Sequence, residues 1–366
     1  MALSHSPLIV TDGLVFMYDT GNRKSYVGEP TENGITTPDL SSGVSPYNTH
    51  STSLTDKVLK ITLTGVNSSN RAQFSHDTSF NTAQTATMSI YAKGEGSTVG
   101  KYLQTYSGAS WTRSIGPLTS EFKRFNTTIT TGGGSGGPGN MGLQNGATGD
   151  VFYIHSPQLE ANSHVTPFVN GTRSATQGLI DRTGNSTIDI SNASFDSNAQ
   201  MVFDGTDDFI SIPTYTFGNG SWTLNMWVKA DDFVNYNLMS NSSGGPVTNA
   251  FGAYDNKIFY YNYNGAWQGH SGNTTLSTNT WYMLTWVNYA GASASAGTMK
   301  MYVNGIADSS AFNSYTTNGG PCNAIGKRWG GTPFNGNISG VSINTKSLSD
   351  AEVLQNYNAI KSRFGL

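Results

Sequence analysis

The chain has 366 residues, of which 12% are charged, with a formal net charge of −3 and a pI near 6.0. That length accommodates two domains with real cores. No basic stripe is visible to hold nucleic acid, and no apolar run is long enough to span a membrane, so neither nucleic-acid binding nor membrane insertion is expected. The 43 glycines, with abundant Asn, Ser, Thr, Tyr and Phe, favour strands and polar turns over helices. A lone cysteine, Cys322, excludes an intramolecular disulfide framework and reads as a small buried or loop thiol.

In chain order, MALSHSPLIVTDGLVFMYD lacks the basic region and apolar run of a signal peptide. Residues 8–20 read as a strand, with Leu14, Phe16 and Tyr18 alternating with Val15, Met17 and Asp19. From Gly28 to about Ser53 the text is turn-rich and without periodicity. Short strands then follow over 54–173: VLKITLTGV, TATMSIYAKGE, KYLQTYSG, FKRFNTTIT, MGLQ and DVFYIHSPQLE. Turns every ten to fifteen residues suit an all-β sandwich. GGGSGGPGN at 132–140 is a loop; no GK[ST] follows it, so it is not a phosphate loop.

A polar connection with the weak strand STIDIS leads to a second strand series from Gln200. Trp222, Leu224, Met226 and Val228 fall on one face of a strand, and Thr223, Asn225, Trp227 and Lys229 on the other. Trp222, Trp281 and Trp286 read as core, while Trp227 is left open. Val303-Asn304-Gly305 carries the Asn-Gly signal of a hairpin turn. The chain ends in a helix over 350–364. Ser349 is its N-cap, Glu352 completes a capping box, and Leu348 with Val353 forms a hydrophobic staple. Leu354, Tyr357 and Phe364 lie near its apolar face, with Val353 and Ile360 beside them. The expected fold is all-β: two antiparallel β-sandwich (jelly-roll) modules plus one C-terminal helix.

The segment 200–366 resembles the laminin-G-like, concanavalin A-like lectin/glucanase superfamily. The matching pieces are FDGTDDFISIP, SWTLNMWVK, WYMLTWV, MYVNGI, FNGNISGVSI and SLSDAEVLQNYNAIKSRFG. GLVFMYDTGNRKSY at 13–26 looks like the first strand of the same module, which resumes near GLIDRTGNSTIDI at 178–190. The resemblance therefore implies three segments. Residues 1–27 hold the first strand, 28–173 an inserted jelly-roll module of carbohydrate-binding type, and 174–366 the remainder of the sandwich. GDVFYIHSPQLEANSHVTPFVNGTRS at 149–174 is similar to such jelly rolls. Relatives of this kind occur in tailed-bacteriophage structural proteins. The implied role is a non-catalytic virion surface component (tail fibre, head fibre or capsid decoration) made in the host cytoplasm. Its partners would be other virion proteins and cell-surface glycans, and its state a homo-oligomer such as a trimer. The alternatives are a stand-alone extracellular carbohydrate-binding protein and a polysaccharide depolymerase.

Catalysis finds little support in the residues. A retaining glycosidase on this sandwich needs two carboxylates about 5 Å apart. The glutamates, at 29, 32, 95, 121, 160 and 352, do not form the E-x-D-x-x-E pattern that relatives use. No cofactor is required. Asp204, Asp207 and Asp208 offer hard oxygen ligands on one turn and admit a structural calcium; the alternative is an Asx turn with solvated carboxylates. His155 or Ser156 stands about where jelly-roll relatives carry an aspartate, which argues against calcium in that module. Sugar binding would use loop aromatics stacked on pyranose faces. The candidates are Tyr261, Tyr263 and Trp267 in YYNYNGAWQGH, Trp329 in GKRWGG, and Tyr106 and Trp111 in QTYSGASWTR. The alternative for each is packing against neighbouring loops or another subunit.

Overall fold

The computed structural model describes residues 8–41, 44–47, 50–65, 71–107, 111–132, 140–198, 200–218, 220–241, 249–263, 267–290, 297–309, 312–314, 320–327 and 333–366. The fold is all-β, and the paired strands are antiparallel. The chain divides into two compact units. One comprises 1–29, 175–196 and 200–366; the other comprises 30–174 with 197–199.

The first unit is a sandwich of a nine-stranded and a seven-stranded sheet. Both sheets contribute to one core, with Phe16, Leu224, Met226, Trp286 and Ile343 from one and Ile210, Phe217, Phe251 and Tyr260 from the other. The first strand, Leu14–Asp19, pairs with the last, Asn335–Asn344, so segments far apart in sequence close the same sheet. Strand Trp222–Ala230 lies between Tyr282–Tyr289 and Asn335–Asn344. Its Trp222, Leu224, Met226 and Val228 enter the core, as the period of two requires.

The other face of that strand is buried as well, because the C-terminal segment covers it. Thr223 Oγ1 donates to the Lys346 carbonyl and accepts from Leu348 N. Asn225 accepts from Thr285 Oγ1 at 2.9 Å, so its buried amide is matched. Trp227 lies under the helix Asp350–Ile360 and its 3₁₀ extension Lys361–Phe364.

That helix starts as its sequence dictates. Ser349 caps Glu352 N, and the Glu352 carboxylate accepts from Ser349 N at 2.8 Å. The Lys346 ammonium, then the Ser349 donors, pull the Glu352 carboxyl down to about 2. The staple residues Leu348 and Val353 are fully buried. The buried stripe differs from the expected one in a single respect: Leu354 is exposed, and Asn356 takes a buried place instead. Asn356 accepts from Val10 N at 2.7 Å, which ties the N-terminal segment to the helix.

The second unit pairs two five-stranded sheets. Ile61, Met88, Ile90, Phe152 and Ile154 of one face Ala72, Phe74, Leu103, Met141 and Leu143 of the other. The Gly28–Ser53 text, expected to be turns, contains strands Val44–Tyr47 and His50–Thr55. Both are edge strands of their sheets, so neither needs the alternating apolar pattern of a central strand. The GGGSGGPGN loop falls outside the described residues at 133–139. Among the described residues, no helix is long and apolar enough to cross a membrane.

Candidate binding surfaces

The acidic turn joins strands Met201–Asp204 and Phe209–Phe217. Gly205 in this turn has φ +77°, and a Cβ there would fall 3.0 Å from Asn335 Cβ. Oxygens of Asp204, Asp207 and Asp208 all lie within 4.8 Å of one another. Asp204 and Asp207 are exposed, whereas Asp208 is buried. Asp208 accepts from Ser194 Oγ and from Asp204 N, both at 2.8 Å, and Asp204 accepts from Thr206 N at 2.7 Å. Burial pushes the Asp208 carboxyl up, with the Asp204 and Asp207 charges adding to the shift. The donor set is hard, convergent and short of positive charge, which fits a calcium ion completed by carbonyls or water. The alternative reading holds in part: Asp204 makes the Asx turn through Thr206 N and Asp207 faces water, but Asp208, expected to be solvated with them, is buried because Ser194 Oγ and Asp204 N take its carboxylate oxygens.

An aromatic strip lies on the outward face of the seven-stranded sheet. Strands Asn249–Tyr254 and Lys257–Tyr263 form a hairpin through Asp255 and Asn256, both at positive φ. Within the second strand Ile258 and Tyr260 enter the core, so Phe259 and Tyr261 point the other way. Tyr254 and Phe259 have ring centroids 5.2 Å apart, and Phe259 and Tyr261 stack at 5.8 Å with 29° between planes. Tyr254 is half-exposed. Across the ladder Tyr261 faces Gly269. A Cβ at Gly269 would fall 2.6 Å from the Phe259 ring, so only glycine lets that ring lie flat on the sheet.

Of the aromatics singled out from sequence, Tyr261 belongs to this strip. Tyr254 and Phe259 were missed. Their signal was the spacing of Phe259 and Tyr261 on alternate residues, hidden in an apolar run. Tyr106, partly buried at the end of strand Leu103–Tyr106, belongs to the other unit and is not brought to the strip. The side chains of Tyr263, Trp267 and Trp111, and all of Trp329, lie outside the described residues.

The expectation of a core Trp281 is corrected. Trp222 and Trp286 are buried, but Trp281 precedes its strand and is only half-buried. Its ring meets Phe364 at 4.4 Å and holds the Lys229 ammonium 5.7 Å from its centroid. Both line a cleft of about 340 Å³ with Tyr26, Gln200 and Asn337. Cys322 is fully buried in strand Gly320–Ile325, and burial pushes its thiol up, away from nucleophilic use.

The chain matches no curated protein sequence with significance. Among solved structures it is similar to the receptor binding domain of botulinum neurotoxin D, at 16% identity and a TM-score of 0.38, over 50% of each chain. It is also similar to domain 4 of AbnA, a GH43 extracellular arabinanase from Geobacillus stearothermophilus, in complex with arabinotriose. That match has 18% identity and a TM-score of 0.37, over 50% of this chain and 93% of the other. The chain spans about half the length of the neurotoxin domains it matches. Residues 204–354, which carry the acidic turn, the aromatic strip and the start of the C-terminal helix, match the family model Laminin_G_3 of the concanavalin A-like lectin/glucanases superfamily.

Proposed function

We propose that the chain is a non-catalytic glycan-binding protein. The observation that carries this reading is the strip of Tyr254, Phe259 and Tyr261 on the outward face of a lectin-like sandwich, in which the stacked Phe259 and Tyr261 rings pack over Gly269. Flat rings on a rigid sheet take the apolar face of a pyranose with little ordering cost. The acidic turn supports the same role by pinning a loop, and Asp204, Asp207 and Asp208 are the residues that would hold a structural calcium. Calcium would raise the melting midpoint and EDTA would lower it again. An unchanged midpoint in both arms removes the ion from the account.

The finer reading is a virion surface component of a tailed bacteriophage, either a fibre part or a capsid decoration. The 30–174 unit would be a guest jelly roll in a loop of the lectin-like host, and a trimer is the proposed assembly state. These points rest on the resemblance of the ordered segments between residues 203 and 365 and of the 149–174 stretch to phage modules. Finding the polypeptide in purified particles separates this placement from a stand-alone extracellular carbohydrate-binding protein.

A second reading, polysaccharide hydrolysis, draws on one feature, the raised Asp208 carboxyl beside two further carboxylates. A glycan array at millimolar ligand, paired with product analysis on the bound polysaccharides, tests both. The expected result is retention without release of oligosaccharides. Release of oligosaccharides would install the hydrolase reading, and an array without any bound glycan would remove the lectin role.

A further inference from the structure

The second unit carries a face that composition conceals. Lys60, Tyr153 and Lys93 stand directly opposite one another on three consecutive strands, Val58–Leu63, Val151–Glu160 and Thr85–Glu95. Two residues along, His155, Tyr91 and Arg124 form a second row that continues onto strand Lys123–Thr130. The period of two puts both rows on one face, because the alternating neighbours Phe152, Ile154, Ala92 and Ile61 fill the core. Strand spacing makes this face about 14 Å wide from Lys60 to Arg124.

The rings and cations here touch each other. His155 lies flat on Tyr91 at 4.8 Å and 8°, and Phe122 meets His155 edge-on at 4.7 Å. Lys93 Nζ stands 5.0 Å from the centroids of both Phe122 and Tyr153, and Lys60 Nζ 5.5 Å from Tyr153. Arg124 covers Tyr91 at 5.8 Å. None of Lys60, Lys93 and Arg124 forms an ion pair among the described residues. The Arg124 guanidinium donates to Ser89 Oγ at 3.0 Å, yet its Nε is buried without a hydrogen-bond partner. The acids nearby are occupied: Glu95 accepts from the Tyr153 hydroxyl, and Glu160 accepts from Thr166 N and Oγ1. A cation parked on a ring at a partly exposed site is held only weakly, so it is free to turn towards an anion.

We propose that this face binds an anionic polysaccharide, with carboxylates on Lys60 and Lys93 and sugar faces against Tyr153 and Phe122. The site is separate from the Tyr261 strip and shares no residue with it. Nucleic acid is the less suitable polyanion. Its phosphates are dense enough to call for more cations than these three, on a chain of net charge −3.

The test is affinity electrophoresis of the full chain through gels containing polygalacturonate, dextran or poly(dT). Polygalacturonate is expected to retard the protein and dextran is not. Apparent affinity should fall about tenfold or more in the Lys60→Gln/Lys93→Gln double variant, and similarly in about 0.5 M NaCl. Tyr261→Ala should leave this retardation unchanged, which keeps the proposal separate from the strip on the other unit. Both lysines are partly exposed, so the double variant should keep the wild-type melting midpoint. The proposal is overturned by no retardation in polygalacturonate, by equal retardation in dextran, or by indifference to the double substitution. Retention by poly(dT) without retention by polygalacturonate would assign the face to nucleic acid instead.

Discussion

Replacing Trp227 with alanine is expected to lower the unfolding free energy of the lectin-like unit by about 3–5 kcal/mol, the range for removing a large buried aromatic. The indole is 4% exposed and lies on the outer face of the nine-stranded sheet. Tyr357 stacks on it at 5.8 Å and 11°, and Phe364 at 4.5 Å and 24°. Val353 and Leu348 complete the same small cluster. Truncation therefore leaves a cavity and also removes the platform on which the C-terminal helix rests. Losing the Ser349 cap by Ser349→Ala should cost only about 1 kcal/mol, because it removes the hydroxyl's exposed hydrogen bonds to Glu352 N and the Glu352 carboxylate without opening the core. Six of the seven tryptophans (222, 227, 267, 281, 286 and 329) belong to this unit and only Trp111 to the other, so tryptophan fluorescence in urea follows mainly the relevant transition. A loss below about 1 kcal/mol would mean that the helix is not part of the cooperative sandwich.

Gly336→Ala should be comparably severe, at about 3 kcal/mol or more, for a different reason. Gly336 has φ +138° and pairs with Ala230 on one side and Phe203 on the other. An added Cβ would fall 2.2 Å from the Lys229 carbonyl oxygen and 2.8 Å from the Ala230 Cα. Both are backbone atoms of a central strand and cannot step aside. Overpacking and an unfavourable φ each cost about 1–3 kcal/mol. Gly365 is the natural control: its φ is +72°, but nothing lies within 4 Å of its Cβ position. Gly365→Ala should therefore cost only the backbone preference, about 1 kcal/mol. Equal urea midpoints for the two alanine variants would contradict the close approach at Gly336.

Much of the fold could be read from periodicity. Strands such as Thr85–Glu95 and Trp222–Ala230 announce themselves because they lie at the centre of their sheets and bury an alternating apolar set. The capping box of the helix and the Asn304-Gly305 turn were legible because they depend on local chemistry alone; Asn304 and Gly305 do adopt positive φ. Strand His50–Thr55 was hidden because an edge strand exposed to water can be written in Ser and Thr. Trp281 shows the opposite failure. It stands one residue before an apolar strand and shares its composition without its burial. The binding surfaces were harder still. Asp204, Asp207 and Asp208 are neighbours in sequence and could be named together, whereas Lys60, Lys93 and Arg124 come from three strands. Only the register of the sheet brings them onto one face.

The most direct test of the glycan-binding account is the effect of Phe259→Ala and Tyr261→Ala on a neutral glycan found by the array. The two side chains are partly buried on the outward face, so circular dichroism and the melting midpoint would first establish that the variants remain folded. Loss of a stacking ring at the centre of a binding surface costs about 2 kcal/mol or more, read as an affinity reduced at least tenfold in isothermal titration. The account predicts that loss in both variants. Wild-type affinity in both folded variants would contradict it and move the glycan to another surface of the molecule.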